Sequence, residues 1–297
     1  VGFFIFLIGS FVIGVAATIL QVVLNLYLTV CRIGKTTALQ RQMIGGTSNS
    51  IGMAIAPLVI SYLIFHGTPL HDIVTKQFII PLIILILIML IITLLVGKTQ
   101  MPSIDNVRQA PGEKFDKSVW SFRNLKLGVW GIFFYVGIEV AVGANVNMYA
   151  SELGGSFASN ATHMAALYWG LLLLGRFLGS FIKQVPSEKQ LVIASIGAIV
   201  LLVLAMLTAN PWILTLIGFF HSIMWPAIFT LATDQLGKYT TKASGVLTMG
   251  VIGGGIIPLL QGIFADVMGG NWLWTWLLVI AGEAYILYYG LNGYKQH

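Results

Sequence analysis

The sequence carries very little charge. Asp, Glu, Lys and Arg together make up 9 % of its 297 residues, whereas a soluble domain averages about 25 %. Hydrophobic residues make up 57 %, and a soluble fold of this length cannot hide so much apolar surface from water. A water-soluble protein is therefore excluded, and the lipid bilayer must be the solvent for most of the chain.

Cysteine and clustered metal ligands are also scarce. The single cysteine, Cys31, excludes a disulfide within the chain. The sequence has no cluster of metal-ligand residues, no exposed pair of acids and no nucleophile beside a base. The glycine run 253–255 follows no strand and precedes no Lys, so it is not a nucleotide-binding loop. These absences predict a protein without a metal, without a cofactor and without enzymatic activity.

Long apolar runs divide the chain into nine segments, each long enough to cross a bilayer, which takes about 20 residues. The chain opens with Val1 already inside an apolar run and shows neither an initiator Met nor a cleavable signal peptide. We therefore interpret it as a fragment. The segments are 1–30, 43–65, 78–96, 127–150, 164–182, 191–208, 212–231, 244–268 and 272–289.

Lysine and arginine are concentrated in alternate loops. Fourteen of the sixteen lie in the odd-numbered loops and the tail, one (Lys76) lies in an even-numbered loop, and Arg176 lies within a segment. Because cytoplasmic loops carry the excess of Lys and Arg, we predict a multi-pass membrane protein with a cytoplasmic C-terminus. The same distribution argues against a nucleic-acid partner, despite a net charge of +6.

A short internal repeat divides the segments into two sets. The sequence GKTT at 34–37, after the first segment, is similar to GKYTT at 237–241, after the seventh, and Pro57 and Pro258 occupy matching places further on. The repeat indicates six-helix units, so three helices of the first unit would precede Val1. We predict a partial three-helix N-terminal bundle at 1–96, a cytoplasmic linker at 97–126 and a six-helix C-terminal bundle at 127–297.

The segment 127–150 carries an acid, Glu139, near its middle. An ionisable group that faces lipid at this depth costs at least about 3 kcal/mol, so Glu139 should face the bundle interior or a wet cavity. Tyr135 lies four residues before it and Gly143 four residues after it, so the three share one helix face. We predict that this face lines a polar pathway. The alternative is a protonated Glu139 that only bonds a neighbouring helix.

Two six-helix halves joined by a cytoplasmic loop resemble the major facilitator superfamily. Six stretches resemble helices four, five, seven, eight, ten and eleven of its fucose–galactose–glucose:proton symporter family. They are LQVVLNLY at 20–27, QMIGGTSNSIGMAIAP at 42–57, FYVGIEVAVG at 134–143, YWGLLLLGRFLG at 168–179, SIMWPAIFTL at 222–231 and GGGIIPL at 253–259. The resemblance implies an all-α integral membrane protein with nine of the family's twelve transmembrane helices, the equivalents of helices four to twelve.

The resemblance also implies a secondary transporter that imports a sugar, such as glucose, galactose or fucose, with protons by alternating access. Gln21 is similar to the glucose/galactose branch, because fucose members carry Glu at that place. The partners expected from this family are a sugar, protons and the bilayer, with the protein as a monomer. The alternatives are a non-transporting membrane sugar sensor with the same fold and a membrane enzyme acting on lipid-linked sugar.

Polar residues on these helices are the candidate sugar ligands, because amides both donate to and accept from hydroxyl groups. Gln21 and Asn25 lie four residues apart and share a face; interhelical bonds worth about 0.6 kcal/mol each are the alternative for this pair. Trp225 can stack on a pyranose ring or pack in the core. The predicted substrate-binding residues are Gln21, Asn25, Asn49, Tyr135, Glu139, Asn145 and Trp225.

Other residues are candidates for proton coupling and gating. Glu139 and His221 are the proton-coupling candidates, although a lone His is more often structural. Arg176 either snorkels to the cytoplasmic surface or forms an ion pair or gate. Pro258 and the glycines before it should permit a bend or close helix approach. We expect Glu283 to lie outside the site because, by resemblance, the last helix lies outside the cavity.

The charge pattern of the loops makes a topology prediction. In a variant with Cys31→Ser, single cysteines replacing Glu152 or Gly270 should react with a membrane-impermeant thiol reagent from the periplasmic side. Cysteines replacing Lys114 or Lys238 should react only after the membrane is opened, because the Lys-rich and Arg-rich loops are cytoplasmic. The reverse pattern at both pairs of positions would contradict the nine-span topology.

Overall fold

The computed structural model describes residues 2–31, 34–58, 79–100 and 115–296, and the regular structure within these ranges is entirely helical. Each of the nine apolar segments is helical over its described length except at Met268, at Trp272 and after Gly179. The α-helices are α1 (Gly2–Val30), α2 (Ala38–Leu58), α3 (Ile79–Lys98), α4 (Arg123–Leu153), α5 (Gly155–Ser159), α6 (Ala161–Gly179), α7 (Ser187–Thr208), α8 (Pro211–Thr233), α9 (Thr240–Thr248), α10 (Gly253–Val267) and α11 (Trp276–Tyr288).

Helix length and apolar composition mark six stretches of the described chain as candidate membrane spans. The remaining predicted spans correspond to α2, α6 and α11, which are shorter or more polar than the candidates. The six candidates are Phe3–Val30, Ile79–Lys98, Arg123–Leu153, Ser187–Thr208, Pro211–Thr233 and Gly237–Val267.

The span 244–268 is a broken helix rather than a single α-helix. A 3₁₀ stretch, Met249–Ile252, separates α9 from α10, and it lies next to the glycines that predicted a bend. Pro258 lies inside α10. Because proline has no backbone N–H, it cannot donate to the carbonyl four residues earlier. The last span is divided in the same way, with a 3₁₀ turn at Leu273–Thr275, then α11, then a π-helical turn at Tyr289–Gly293.

Glycines in the broken span bring its backbone directly against α4. A Cβ at Gly253 would overlap the backbone carbonyl of Phe133, and a Cβ at Gly250 would lie 2.6 Å from the carbonyl oxygen of Val129. Glycine at these positions therefore permits the close helix approach that small residues provide in membrane bundles. The contact holds α10 against the helix that carries Glu139.

The chain divides into two compact units, Val1–Thr47 with Ile104–His297, and Ser48–Ser103. In the first unit, α8 packs against α4, α6 and α7, and α4 also packs against α10 and α11. In the second unit, α3 has no buried residue, so its apolar side chains require a non-aqueous environment. Residues 101–114 of the proposed linker lie outside the described residues, and the division into 1–96, 97–126 and 127–297 stays a prediction.

The leading glycines of the two copies of the short repeat have nearly the same left-handed backbone φ. Gly34 has φ = 54° and Gly237 has φ = 51°, a left-handed conformation that favours glycine. After each of them the chain enters a helix, at Ala38 in one copy and at Thr240 in the other. This correspondence in geometry supports the six-helix repeat that the sequence predicted.

The glycine contact between α10 and α4 predicts a difference between two neighbouring substitutions. Gly253→Ala should destabilise the full-length protein by about 1–3 kcal/mol, because the new methyl group overlaps the Phe133 backbone. Gly255→Ala is the matched control, because a Cβ there meets nothing within 4 Å. The control should be neutral or stabilising by up to about 1 kcal/mol. Thermal unfolding in detergent measures both, and equal effects would contradict the packing argument.

Candidate functional site

Glu139 lies at the centre of a polar cluster between α4 and α6. The hydroxyl of Tyr135 donates to Glu139 Oε1 at 2.8 Å, and Arg176 Nη2 donates to the same oxygen at 3.3 Å. The Glu139 side chain is 13 % exposed and that of Arg176 is 9 % exposed. The geometry confirms that Tyr135 and Glu139 share a face, and it adds a cation from the neighbouring helix as the partner of the acid.

Arg176 forms an ion pair, which was one of the two possibilities left open by the sequence. Besides bonding Glu139, its Nη1 lies 3.5 Å from the backbone carbonyl of Gly46 on α2. A Cβ at Gly46 would lie 3.2 Å from Cδ of Arg176, so glycine leaves room for the arginine stem. Charged side chains inside membrane bundles pair with one another or with backbone carbonyls, and Arg176 does both.

Aromatic rings surround the Glu139 cluster. The half-buried Trp225 lies 6.4 Å from Tyr135, measured between ring centroids, and stacks on Phe229 at 6.1 Å. A Cβ at Gly143 would lie 2.5 Å from Cζ2 of Trp169, so the bare backbone predicted at this position admits an indole ring. Flat apolar rings beside hydrogen-bonding groups are the features that can receive a sugar.

His221 is the centre of a second, fully buried polar chain. Its Nε2 lies 2.6 Å from Glu283 Oε1, and its Nδ1 lies 2.6 Å from the hydroxyl of Tyr168. That hydroxyl also donates to the backbone carbonyl of Glu139 at 3.1 Å. The exposed fraction of Tyr168, His221 and Glu283 is 0 %.

Glu283, which we expected to lie outside the substrate site, is part of this buried chain. Its helix, α11, packs against α4 and α7, and the carboxyl group reaches His221 on α8. The exclusion of Glu283 from the substrate site stays a prediction. The sequence signal for its pairing with His221 was physical, because two ionisable groups near the middle of apolar segments each require a partner.

Asn145 belongs to a third polar group, which contains no ionisable residue. Its Nδ2 donates to Gln261 Oε1 at 2.9 Å, and Gln261 Nε2 donates to Thr275 Oγ1 at 3.0 Å. These bonds join α4, α10 and the 3₁₀ turn before α11. Sequence reasoning missed Gln261, a polar residue in the middle of an apolar segment. A role for Asn145 in sugar binding stays a prediction beside this interhelical network.

The remaining predicted sugar ligands lie on α1 and α2. Asn25 is buried, and its backbone carbonyl accepts from Gln42 Nε2 at 2.9 Å. Gln21 is half-buried one turn earlier. Asn49 is exposed on α2 and belongs to the unit Ser48–Ser103, so its position relative to Glu139 stays undescribed. Their contact with a substrate stays a prediction.

A cavity of about 370 Å³ opens at the ends of α1 and α8, and its described lining does not include the predicted sugar ligands. Arg41 lines it, but its guanidinium donates to the carbonyls of Leu28, Thr29 and Thr36 at 2.7 Å each. These bonds fasten the end of α1 to the start of α2, so this cation has a structural role. Among the described residues no group of three His, Cys, Asp or Glu side chains is placed to hold a metal ion.

The fold, the Glu139–Arg176 ion pair and the buried contact between His221 and Glu283 define a class of protein, a multi-pass integral membrane protein with a polar interior. Residues 1–258 match the family model described as Major Facilitator Superfamily. The chain therefore belongs to the major facilitator superfamily, as the motifs implied.

Curated relatives match almost the whole chain. It is 34 % identical over 301 residues to a protein named glucose/galactose transporter from Brucella abortus, a match that covers 98 % of this chain and 72 % of the relative. It is 27 % identical over 292 residues to the L-fucose-proton symporter of Escherichia coli, covering 89 % of this chain and 66 % of that protein.

A solved structure agrees with the architecture. The crystal structure of the E. coli fucose:proton symporter FucP matches with a TM-score of 0.77 at 23 % sequence identity, covering 92 % of this chain and 73 % of that one. At this identity the likeness shows the fold. It confirms the prediction of a partial major facilitator fold built from nine apolar segments.

The ion pair predicts energetic coupling between two substitutions. Arg176→Gln alone removes the cation beside the Glu139 carboxylate, and Tyr135 then remains as its described hydrogen-bond donor. Because the buried charge of Glu139 is left without an opposite charge, the full-length protein should lose up to about 3 kcal/mol of stability. Adding Glu139→Gln should recover part of this loss, with a coupling of about 0.5–3 kcal/mol.

The matched control for this cycle combines Arg176→Gln with Glu188→Gln, an acid at the start of α7. Its two effects should add within about 0.5 kcal/mol. Thermal and denaturant unfolding measure the three single and the two double variants. If the effects of the Arg176 and Glu139 substitutions simply add, the ion pair does not contribute to holding α4 against α6.

Proposed function

We propose that the protein is a secondary active transporter that imports a hexose or 6-deoxyhexose, such as glucose, galactose or fucose, together with protons. The observation that carries the proposal is the Glu139–Arg176–Tyr135 cluster, a partly accessible acid inside apolar helices. An intramembrane ionisable group marks a substrate or ion pathway by default. The relatedness to proteins named glucose/galactose transporter and L-fucose-proton symporter supports sugar and protons as the substrates.

The proposed sugar site combines hydrogen-bonding groups with aromatic rings. Glu139 and Tyr135 offer an acceptor and a phenol to sugar hydroxyls, and Trp225 offers a flat face to the apolar side of a pyranose. The amides proposed to complete the site are Gln21, Asn25, Asn49 and Asn145.

Proton coupling is proposed to act through the partners of Glu139. Protonation of the carboxylate would remove the charge that attracts Arg176, which also contacts the carbonyl of Gly46 on α2. A proton on Glu139 would therefore weaken a contact between α2 and α6. This gives a physical route from proton binding to helix movement, with His221 as the second coupling candidate.

Alternating access is proposed to break a small set of contacts on the Lys-rich and Arg-rich side. There Gln40 Nε2 donates to the carbonyl of Ser180 at 2.8 Å, and Ser244 Oγ donates to the carbonyl of Val22 at 3.1 Å. Both bonds join α1 or α2 to the helices that follow the linker. Few bonds, made to backbone carbonyls, can be exchanged for water when the two halves separate.

Location and assembly complete the proposal. The charge pattern supports a bacterial inner-membrane protein with a cytoplasmic C-terminus, a cytoplasmic linker at 97–126 and a partial N-terminal bundle at 1–96. The transporter family supports a protein that is not an enzyme, and the proposed working unit is a monomer in the bilayer.

Uptake by the full-length protein in proteoliposomes tests this function. Labelled glucose, galactose and fucose should each be offered with and without an imposed inward proton gradient, and at least one should accumulate only with the gradient. Binding of sugar without uptake would contradict transport and favour a membrane sugar sensor with the same fold. Uptake that is equal with and without the gradient would contradict proton coupling.

The amides of α1 make a specific prediction within this function. Gln21→Ala and Asn25→Ala should each weaken sugar binding by about 1–3 kcal/mol, because hydroxyls of the bound sugar lose a partner. Asn160→Ala, at the start of α6 and outside the proposed site, is the matched control. Equilibrium binding of labelled sugar measures the three variants. Unchanged affinity in both α1 variants would assign these amides to contacts between helices.

A further inference from the structure

In the buried chain Tyr168–His221–Glu283, hydrogen-bond acceptors outnumber the protons available to them. One arrangement of the protons therefore cannot satisfy all of the acceptors. The single hydroxyl proton of Tyr168 faces two acceptors, His221 Nδ1 at 2.6 Å and the carbonyl of Glu139 at 3.1 Å. On the other side of the ring, Nε2 and Glu283 Oε1 lie 2.6 Å apart and share one proton. The protonation state of the His221 ring therefore decides whether the Tyr168 hydroxyl donates to Nδ1 of His221 or to the carbonyl of Glu139.

Two arrangements satisfy these contacts, and they differ by one proton. In the first, Nε2–H of neutral His221 donates to the Glu283 carboxylate and the Tyr168 hydroxyl donates to Nδ1. In the second, an added proton occupies Nδ1, which donates to the Tyr168 oxygen, and the tyrosine hydroxyl turns to the Glu139 carbonyl. The proton between Nε2 and Oε1 is then shared by imidazole and carboxylate.

We propose that Tyr168, His221 and Glu283 form a proton-binding site in the helices after the linker, separate from the carboxyl group of Glu139. One proton from solution binds on the imidazole–carboxylate pair, and rotation of the Tyr168 hydroxyl accompanies it. No heavy atom has to move, and no group other than a proton is exchanged. The proton site does not depend on the substrate, whereas its link to sugar rests on the proposed function.

The surroundings of Glu283 fit a site that takes up a proton. Its Oε2 is buried and accepts no hydrogen bond from the residues that the structure describes. A carboxylate with one oxygen unbonded in an apolar interior is costly, and one added proton brings the net charge of the His221–Glu283 pair from −1 to zero. The added proton on Nδ1 faces the Tyr168 oxygen, which lies 2.6 Å from Nδ1 and is positioned to accept a hydrogen bond from it.

The other charged or titratable groups near this chain come from two helices. On α4 they are Tyr135, whose ring lies 6.2 Å from that of His221, and Glu139; on α6 the group besides Tyr168 is Arg176. The part of α7 from Leu191 to Thr208, which packs against α8 and α11, has no titratable side chain. The negative charge of Glu139 favours an added proton and the positive charge of Arg176 opposes it.

The position of Tyr168 connects the two acids. When the site is protonated, its hydroxyl bonds the backbone of Glu139, and when the site is deprotonated this bond is released. Glu139 in turn accepts from Arg176. Binding of one proton at His221 thereby affects the part of α4 that positions Glu139, the proposed sugar ligand. The connection is the hydrogen bond from Tyr168 to the Glu139 carbonyl, which is made only in the protonated state.

Infrared difference spectroscopy on the full-length protein tests the proton site without any sugar. With nitrogen-labelled histidine, the wild type should show imidazole and carboxyl bands that change together with one midpoint as the pH is varied. Glu283→Gln, which keeps the shape but cannot titrate, should abolish this transition. Glu139→Gln should retain it. A transition that persists unchanged in Glu283→Gln overturns the proposal.

Tyr168→Phe provides a second variant if Glu283→Gln fails to fold. The protonated arrangement loses two hydrogen bonds with the hydroxyl, whereas the deprotonated one loses one. The transition should therefore require a lower pH, and an unchanged midpoint overturns the proposal. Thr275→Val is the matched control, because it removes a buried hydroxyl from the Asn145–Gln261–Thr275 network, which has no titratable member, and its midpoint should equal that of the wild type.

Sugar binding measured against pH tests the link between the two sites. Glu283→Gln should flatten part of the pH dependence while Thr275→Val preserves it. A wild-type protein that binds no sugar would contradict the proposed function and leave the infrared result standing. A pH profile in Glu283→Gln that is identical to the wild type would restrict the chain to a structural role and overturn the link.

Discussion

The structure depends on one constraint, which is that every ionisable side chain inside the apolar helices must find a partner. Water is absent from the bilayer core, so an unpaired charge or polar group there is costly. Glu139 meets this constraint with Tyr135 and Arg176, and Glu283 meets it with His221. These pairs decide which faces of α4, α6, α8 and α11 turn toward one another.

Close contact between backbones makes these pairs possible, and glycine supplies it. A Cβ at Gly218 would overlap the carbonyl of Tyr168, and a Cβ at Gly175 would lie 2.7 Å from the carbonyl oxygen of Phe219. The backbones of α6 and α8 therefore meet at the level where Tyr168 reaches His221. Small residues at helix interfaces and polar groups that bond across them act together here, as they do in other membrane bundles.

The two acids have different surroundings, which suggests different tasks within the proposed transporter. The Glu139 side chain is 13 % exposed and contacts a cation that also reaches α2, so a solute and a helix movement can both affect it. Glu283 is fully buried, and among the described residues its hydrogen-bond partner is His221. Tyr168 lies between them, and its hydroxyl joins the His221 chain to the α4 backbone.

The amino-acid sequence by itself determined the properties that follow from composition and helical period. The low fraction of charged residues indicates that the chain lies in a bilayer, and the nine apolar runs predict its helices. The spacing of four residues places Tyr135 and Glu139 on one helix face. The partners of the acids were decided only by the tertiary structure. Arg176 lies 37 residues from Glu139, and Glu283 lies 62 residues from His221. Helical period sets the face on which a side chain lies, but the packing of helices distant in sequence, together with the glycines that let them approach, selects the residue it meets.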